Sequence, residues 1–210
     1  MWGVKISTFY EPLFGPREVH DRALIQFWKE SWERNGWTTE VLSLKDCKTH
    51  PRFDEFKQQI ERYPTVNDRN YERMCFLRHL AFAQSDANLF CDFDCINRNW
   101  NPAADDIRFK AQVHAFMTRH PALYTADASG FVWLLDWLMF WPKHDVEESG
   151  RPHISDQTIF TQLPISTDDV CLDYPNPGWE NAHVNHFGNC RILNLPGTTK
   201  VEKLKRLLRY

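Results

Sequence analysis

Residues 89–97 read LFCDFDCIN. An apolar run from Ala87 to Cys91 leads into two aspartates one residue apart, Asp92 and Asp94. Side chains two apart in an extended chain share a face, so both carboxylates are expected to project together from the end of a buried strand. Carboxylates held that close repel unless they are protonated or neutralised, and a divalent cation is the usual neutraliser. Oxygen donors suit hard cations such as Mg²⁺ and Mn²⁺, which commonly bridge to substrate phosphates. The stretch thus predicts a strand end that carries a metal site and, beside it, a phosphorylated ligand. Asp-x-Asp triplets are common among solvated turns, so the discrimination has to come from the rest of the chain.

Upstream, residues 4–10 (VKISTFY) read as a first strand. Within 21–35, Leu24, Phe27, Trp28 and Trp32 fall at helical spacing, with Gly36 as the stop. Residues 38–44 (TTEVLSL) read as a second strand. A strand, a helix and a strand within about 40 residues open a βαβ unit and favour a parallel sheet. Ligands of such sheets sit beyond the carboxyl ends of the strands, which makes Thr8, Phe9 and Tyr10 candidates for contact with a base or ribose. A short helix is expected near 53–62, and a clear one over 70–84 (NYERMCFLRHLAFAQ) delivers the chain into the aspartate strand. Arg73 on that helix is the guanidinium expected to reach a phosphate, with Arg78 close by.

Downstream, 109–117 fit an edge strand or a short helix, 122–126 (ALYTA) a strand, and 131–141 (FVWLLDWLMFW) a helix stopped by Pro142. Trp133, Trp137 and Trp141 recur every four residues, and core packing is the default for such a stripe. Ser155 reads as the N-cap of a short helix that carries Asp156 and Gln157. Residues 168–172 and 182–187 read as strands, 174–180 as loop, and 200–210 as a basic amphipathic helix.

A chain of 210 residues suits one domain with room for a real core. At 42% hydrophobic and 25% charged it is globular in composition rather than disordered. The net charge of −3 excludes the overall basic field of a nucleic-acid-binding domain. The apolar run 131–141 contains Asp136 and is too short to span a bilayer. No secretory leader is visible in MWGVKISTFY, so the six cysteines are expected to be reduced thiols of a cytoplasmic protein. Cys91 and Cys95 flank the aspartates at a spacing that is not a standard zinc pair, and read as buried strand thiols.

In order, the chain offers the βαβ opening, CDFDCIN, ISDQTIF and VNHFGN. This order resembles nucleotide-sugar-dependent glycosyltransferases of the GT-A fold, and is similar to the small glycogenin-like and capsule- or mannosyltransferase-like families. The resemblance implies an α/β fold, with a Rossmann-like mixed, mostly parallel sheet flanked by helices in a single domain. Residues 1–97 would form the nucleotide-sugar-binding half, 98–199 the acceptor half and 200–210 a basic terminal helix. The implied activity is that of a metal-dependent hexosyltransferase, moving a sugar from a UDP- or GDP-sugar to an acceptor hydroxyl. Carried over residue by residue, Asp94 is a direct ligand of Mn²⁺ or Mg²⁺, and Asp92 binds the metal through water or contacts the ribose. His186, followed by Gly188, is a further ligand, and an imidazole tilts the choice to Mn²⁺. Asp156 and Gln157 match the pair beside sugar and acceptor. The family's histidine motif often runs on to a lysine and a Pro-Trp pair. Here Asn189-Cys190-Arg191 follows, so Arg191 is expected to take over the contact to phosphate.

A glycogenin-like enzyme retains configuration, the leaving diphosphate taking the acceptor proton, whereas an inverting one would use Asp156 as base. The acceptor is expected to be a glycan, a lipid-linked sugar or a modified DNA base of the phage type, with DNA or an anionic membrane surface docking on the basic terminal helix. Two other classes also use paired carboxylates. A metal-dependent phosphoesterase or nucleotidyltransferase would recruit Asp105, Asp106 or Asp127 for a second metal. A nucleotide-sugar-binding module would use the same groups without catalysis.

Overall fold

In the computed structural model, the structure describes residues 4–13, 18–87, 89–101, 113–117, 120–140, 152–168, 170–174, 176–188 and 199–208. The chain opens with β1 (Lys5–Phe9), α1 (Glu18–Glu33) and β2 (Thr38–Leu42), followed by α2 (Leu44–Cys47), α3 (Phe53–Ile60) and α4 (Arg69–Gln84). Strands β3 (Leu89–Cys91), β4 (Cys95–Asn97), β5 (His114–Ala115) and β6 (Leu123–Thr125) come next, then α5 (Ala128–Phe140) and α6 (Asp156–Phe160). Strands β7 (Ser166–Thr167), β8 (Cys171–Asp173) and β9 (Val184–His186) precede the final helix α7 (Lys200–Leu208).

The expected βαβ opening is present. Leu24, Phe27, Trp28 and Trp32 are buried along one stripe of α1, each such side chain contributing roughly 1.5–3 kcal/mol by leaving water. Gly36 at φ 87° then turns the chain into β2, a left-handed conformation that glycine adopts without a Cβ clash. β1 pairs in parallel with β2 and with β3. The sheet continues through antiparallel β6 and β5 to a parallel β7, in the order β2-β1-β3-β6-β5-β7. It is mixed but mostly parallel, with helices on its faces. A second sheet, β4-β9-β8, has an antiparallel and a parallel pairing.

Alternation along β3 divides the core. Leu89 and Cys91 face Ile6, Trp28 and Trp32, while Phe90 joins Phe82, Tyr124 and Phe131 on the other side. Strands covered on both faces read as continuous apolar runs, as this one does. α4 starts where the Asp68 carboxylate accepts the N–H groups of Asn70 and Tyr71, an N-cap of the ordinary kind, and buries Phe76, Leu77 and Leu80. None of the described helices is long and apolar enough to cross a membrane.

Several boundaries differ from the sequence reading. The aspartates do not extend the β3 strand. β3 stops at Cys91, and a turn closed by the Cys95 N–H to the Asp92 carbonyl (2.9 Å) carries the chain into the second sheet. Of the described residues in the expected strand over 168–172, only Cys171 and Leu172 are strand, within β8; β7, in the other sheet, ends at Thr167 before the chain crosses over. α5 begins three residues early because the Asp127 carboxylate accepts the Gly130 N–H at 2.7 Å and caps it. The span 174–180, read as loop, runs into a single 3₁₀ turn at Trp179–Asn181. Trp133 and Trp137 pack on the core with ring centroids 5.6 Å apart; Trp141 lies outside the described residues.

Candidate metal and anion site

The turn after β3 is held from both sides. The Asp92 N–H donates to the Ala122 carbonyl at 2.9 Å, and the Phe187 N–H donates to the Asp94 carbonyl at 3.0 Å. These bonds place the turn against the end of β9. In the second sheet His186 is paired with Cys95 of β4 on one side and with Asp173 of β8 on the other. Directly paired residues share a face, so Cys95, His186 and Asp173 form a row beside the two aspartates.

His186 is oriented by that row. Its Nδ1 donates to Asp173 Oδ1 at 2.6 Å, which turns Nε2 towards Asp94 Oδ1 at 3.4 Å and Asp92 Oδ2 at 3.8 Å. A carboxylate behind one ring nitrogen, with the other facing outer oxygen donors, is the usual support of a histidine ligand. Two carboxylates and one oriented imidazole are donors of the kind that hold a divalent cation. The residues therefore fit a metal, with Asp94 and His186 nearest to each other and Asp92 beside them.

Cationic side chains close the other sides. Lys200, the first residue of α7, donates from Nζ to Asp94 Oδ2 at 3.2 Å. Arg78 of α4 forks between Asp92 and Asp156, its Nη2 lying 2.6 Å from Asp156 Oδ2. Asp156 is fully engaged. Its Oδ2 also faces His79 Nε2 at 3.1 Å, and its Oδ1 accepts the Gln157 N–H at 2.7 Å. His79 in turn meets the Tyr124 hydroxyl at 2.7 Å through Nδ1.

The fields divide the two aspartates. Burial and the nearby Asp94 charge push the Asp92 carboxyl up to about 7, against the pull of Arg78. Burial also disfavours charge on Asp94, but Lys200 and His186 outweigh it and hold Asp94 well below the usual carboxylate range. Burial works against His186 as a cation, yet Asp94 and Asp173 raise it well above an ordinary histidine. Asp156 is likewise held low, burial being outweighed by Arg78 and His79.

Comparison with protein-family models gives no match, and comparison with curated proteins gives none. The reading of the site therefore rests on its own geometry.

Asp92, Asp94, His186 and Asp156 come together as the sequence suggests, although a turn and not a strand pleat joins the first two. Other expectations need correction. Arg73 turns away to Glu61 (2.5 Å) and Asn70 (3.0 Å). Five residues rotate a helix by about 140°, so Arg73 and Arg78 cannot serve the same site, and Arg78 is the one that reaches it. Thr8 is wholly buried with its hydroxyl unpartnered, and Phe9 packs into the core. Of the three strand-end candidates Tyr10 alone borders the aspartate turn, its ring 5.7 Å from that of Phe93. Gln157 offers its backbone N–H, while its side chain is exposed. Arg191 lies outside the described residues, as do Asp105 and Asp106. Sequence reasoning missed Asp173, Lys200 and His79. The spacing of Tyr71, Cys75 and Arg78 on one helix stripe was a usable signal for Arg78; Asp173 had none.

Proposed function

We propose that the chain is a metal-dependent glycosyltransferase of the GT-A kind, moving a hexosyl group from a nucleoside-diphosphate sugar to an acceptor hydroxyl. The observation that carries this reading is the convergence of Asp92 and Asp94 on the Nε2 side of a histidine whose Nδ1 is fixed by Asp173. A divalent cation on Asp94 and His186, with Asp92 alongside, would supply Lewis-acid stabilisation of the charge that develops on the leaving diphosphate. Lys200 and Arg78 add fixed positive charge at the same place and favour an anionic ligand there. Tyr10, next to the turn, is the candidate for the nucleoside.

Asp156 serves as a positioning residue. Both of its oxygens are hydrogen-bonded and its carboxyl is held low, which makes it a poor proton acceptor. It keeps Arg78 in place instead. That favours retention, with the leaving diphosphate taking the acceptor proton. An anionic acceptor or its carrier would dock on α7 at the exposed Lys205 and Arg206.

A two-metal phosphoesterase is the less supported reading. Asp127, one of the aspartates it would recruit, is committed to capping α5. The test is incubation of the purified chain with a panel of UDP- and GDP-sugars, with and without Mn²⁺. The expected result is slow release of free sugar and nucleoside diphosphate from one donor, lost in Asp94→Asn. Release of inorganic phosphate or nucleoside monophosphate would point to the phosphoesterase, and binding without turnover to a non-catalytic module.

A further inference from the structure

Cys95 stands in the row with His186 and Asp173 and takes no part in the reading above. Its Sγ, a carboxylate oxygen of Asp94 and a ring nitrogen of His186 lie within 4.8 Å of one another. Donors bonded to one tetrahedral ion at ~2.0–2.3 Å stand about 3.3–3.7 Å apart. The Asp94–His186 separation of 3.4 Å already falls in that range, so a closure of about 1 Å brings the thiol into the same shell.

We propose that this centre binds a borderline-soft divalent cation, Zn²⁺, through Asp94, Cys95 and His186, and that Zn²⁺ thereby competes with the Mn²⁺ or Mg²⁺ favoured by the paired carboxylates. The inference rests on the reading of the site as a metal centre, not on glycosyl transfer. Thiolate and imidazole donors select Zn²⁺, while carboxylate and water suit Mg²⁺ and Mn²⁺. A thiol cross-strand from the histidine ligand therefore changes which ion the site prefers.

The Cys95 Sγ–H donates to the Ala122 carbonyl at 3.2 Å, and the thiols of Cys91, Cys95 and Cys171 are all free and buried. Cys91 in turn accepts the Trp28 indole N–H at 3.1 Å. The His186 ring is fixed by Asp173, and Lys200 is the cation that an incoming metal displaces from Asp94. Binding needs no oxidant: a Zn–S bond forms as the Cys95 S–H bond breaks and a Zn–N bond forms as His186 gives up its Nε2 proton, both protons passing to solvent.

The test is titration of the intact chain with Co²⁺, Zn²⁺ and Mn²⁺ alone. Co²⁺ should produce a thiolate-to-metal charge-transfer absorption that saturates at one equivalent, is displaced by Zn²⁺, and is absent in Cys95→Ser. Cys171→Ala, which leaves the three ligands in place, should keep it. Zn²⁺ affinity should fall in Cys95→Ser by more than the roughly 10–100-fold typical of losing an outer-shell partner, with Mn²⁺ affinity almost unchanged. X-ray absorption of the unaltered chain loaded with Zn²⁺ covers the case of a misfolded variant, and should report one sulfur at ~2.3 Å. A cobalt complex without the thiolate band, a band that persists in Cys95→Ser, or a zinc shell without sulfur would overturn the inference. Donor hydrolysis with Mn²⁺ would still stand in that case. Conversely, a thiolate band from a chain inert towards every nucleotide sugar would leave the zinc site intact and sink the transferase reading.

Discussion

Replacing Arg78 by methionine removes the guanidinium that forks between Asp92 and Asp156 while keeping a long apolar stem in α4. The pair is largely buried, with side-chain exposures of 12% for Arg78, 24% for Asp92 and 5% for Asp156. Loss of one partner of a buried ion pair costs about 3–5 kcal/mol, because it leaves charge uncompensated. Partial exposure of Asp92 argues for the lower end, about 3 kcal/mol. For a domain of this size that corresponds to a fall in Tm of roughly 6–12 °C at neutral pH.

The sign of the pH dependence follows from the shifts. Asp156 is depressed in the folded protein, so its contribution is complete above the unfolded carboxylate pKa of about 4 and is lost only as the pH falls through the lower folded value. Asp92 is raised to about 7; it stabilises the fold at low pH, and that contribution fades as the pH climbs from about 4 to 7. Without Arg78 both carboxyls lose their cation, so Asp92 rises further and Asp156 is no longer held so low. Protonation then relieves the variant, so the destabilisation should be largest at pH 8 and shrink towards pH 5. Urea unfolding of both proteins across that range is the assay. The double variant Arg78→Met/Asp156→Asn should recover about 1–3 kcal/mol of the summed losses. A loss below about 1 kcal/mol at pH 8, or one that does not shrink on acidification, would refute the placement of Arg78 as a buried bridge.

Three further outcomes follow from the same geometry. Asp92 at about 7 and a raised His186 both hold protons that a cation must displace, so calorimetry should show Mn²⁺ affinity climbing from pH 6 to 8; a flat profile contradicts the ligand set. Lys200→Met removes a competitor from Asp94 and should strengthen the binding of Mn²⁺ alone by up to about five-fold, the equivalent of ~1 kcal/mol, whereas weaker binding would mean that Lys200 assists the metal. Tyr124→Phe strips His79 Nδ1 of its 2.7 Å partner in a buried site and should cost ~1–3 kcal/mol in chemical denaturation; no change would place water or another donor there.

Much of the fold was legible in the chain. The β1-α1-β2 opening is visible because apolar spacing records which face of a helix is buried, and Gly36 marks the end of α1 at a positive φ. Ser155 caps α6 as read, its side chain accepting the Thr158 N–H. Less legible was the break at Cys91. The sequence LFCDFDCIN alternates as well in a turn as in a strand, and only the bonds to Ala122 and Phe187 decide between them. The site shows the same division. Asp92, Asp94 and His186 were marked by residue type, but Asp173 meets His186 through a parallel pairing that leaves no local signal.

Sequence alone determined the short-range features: helical periods, caps and the aspartate doublet. These depend on residues within a few positions of one another, so they are written along the chain. Tertiary structure alone decided which of two arginines on α4 faces the carboxylates, that Lys200 returns from the far end to Asp94, and that Asp156 is clamped instead of free. Such pairings depend on how distant elements pack, and a shift of a few ångströms between them exchanges a salt bridge for an exposed charge.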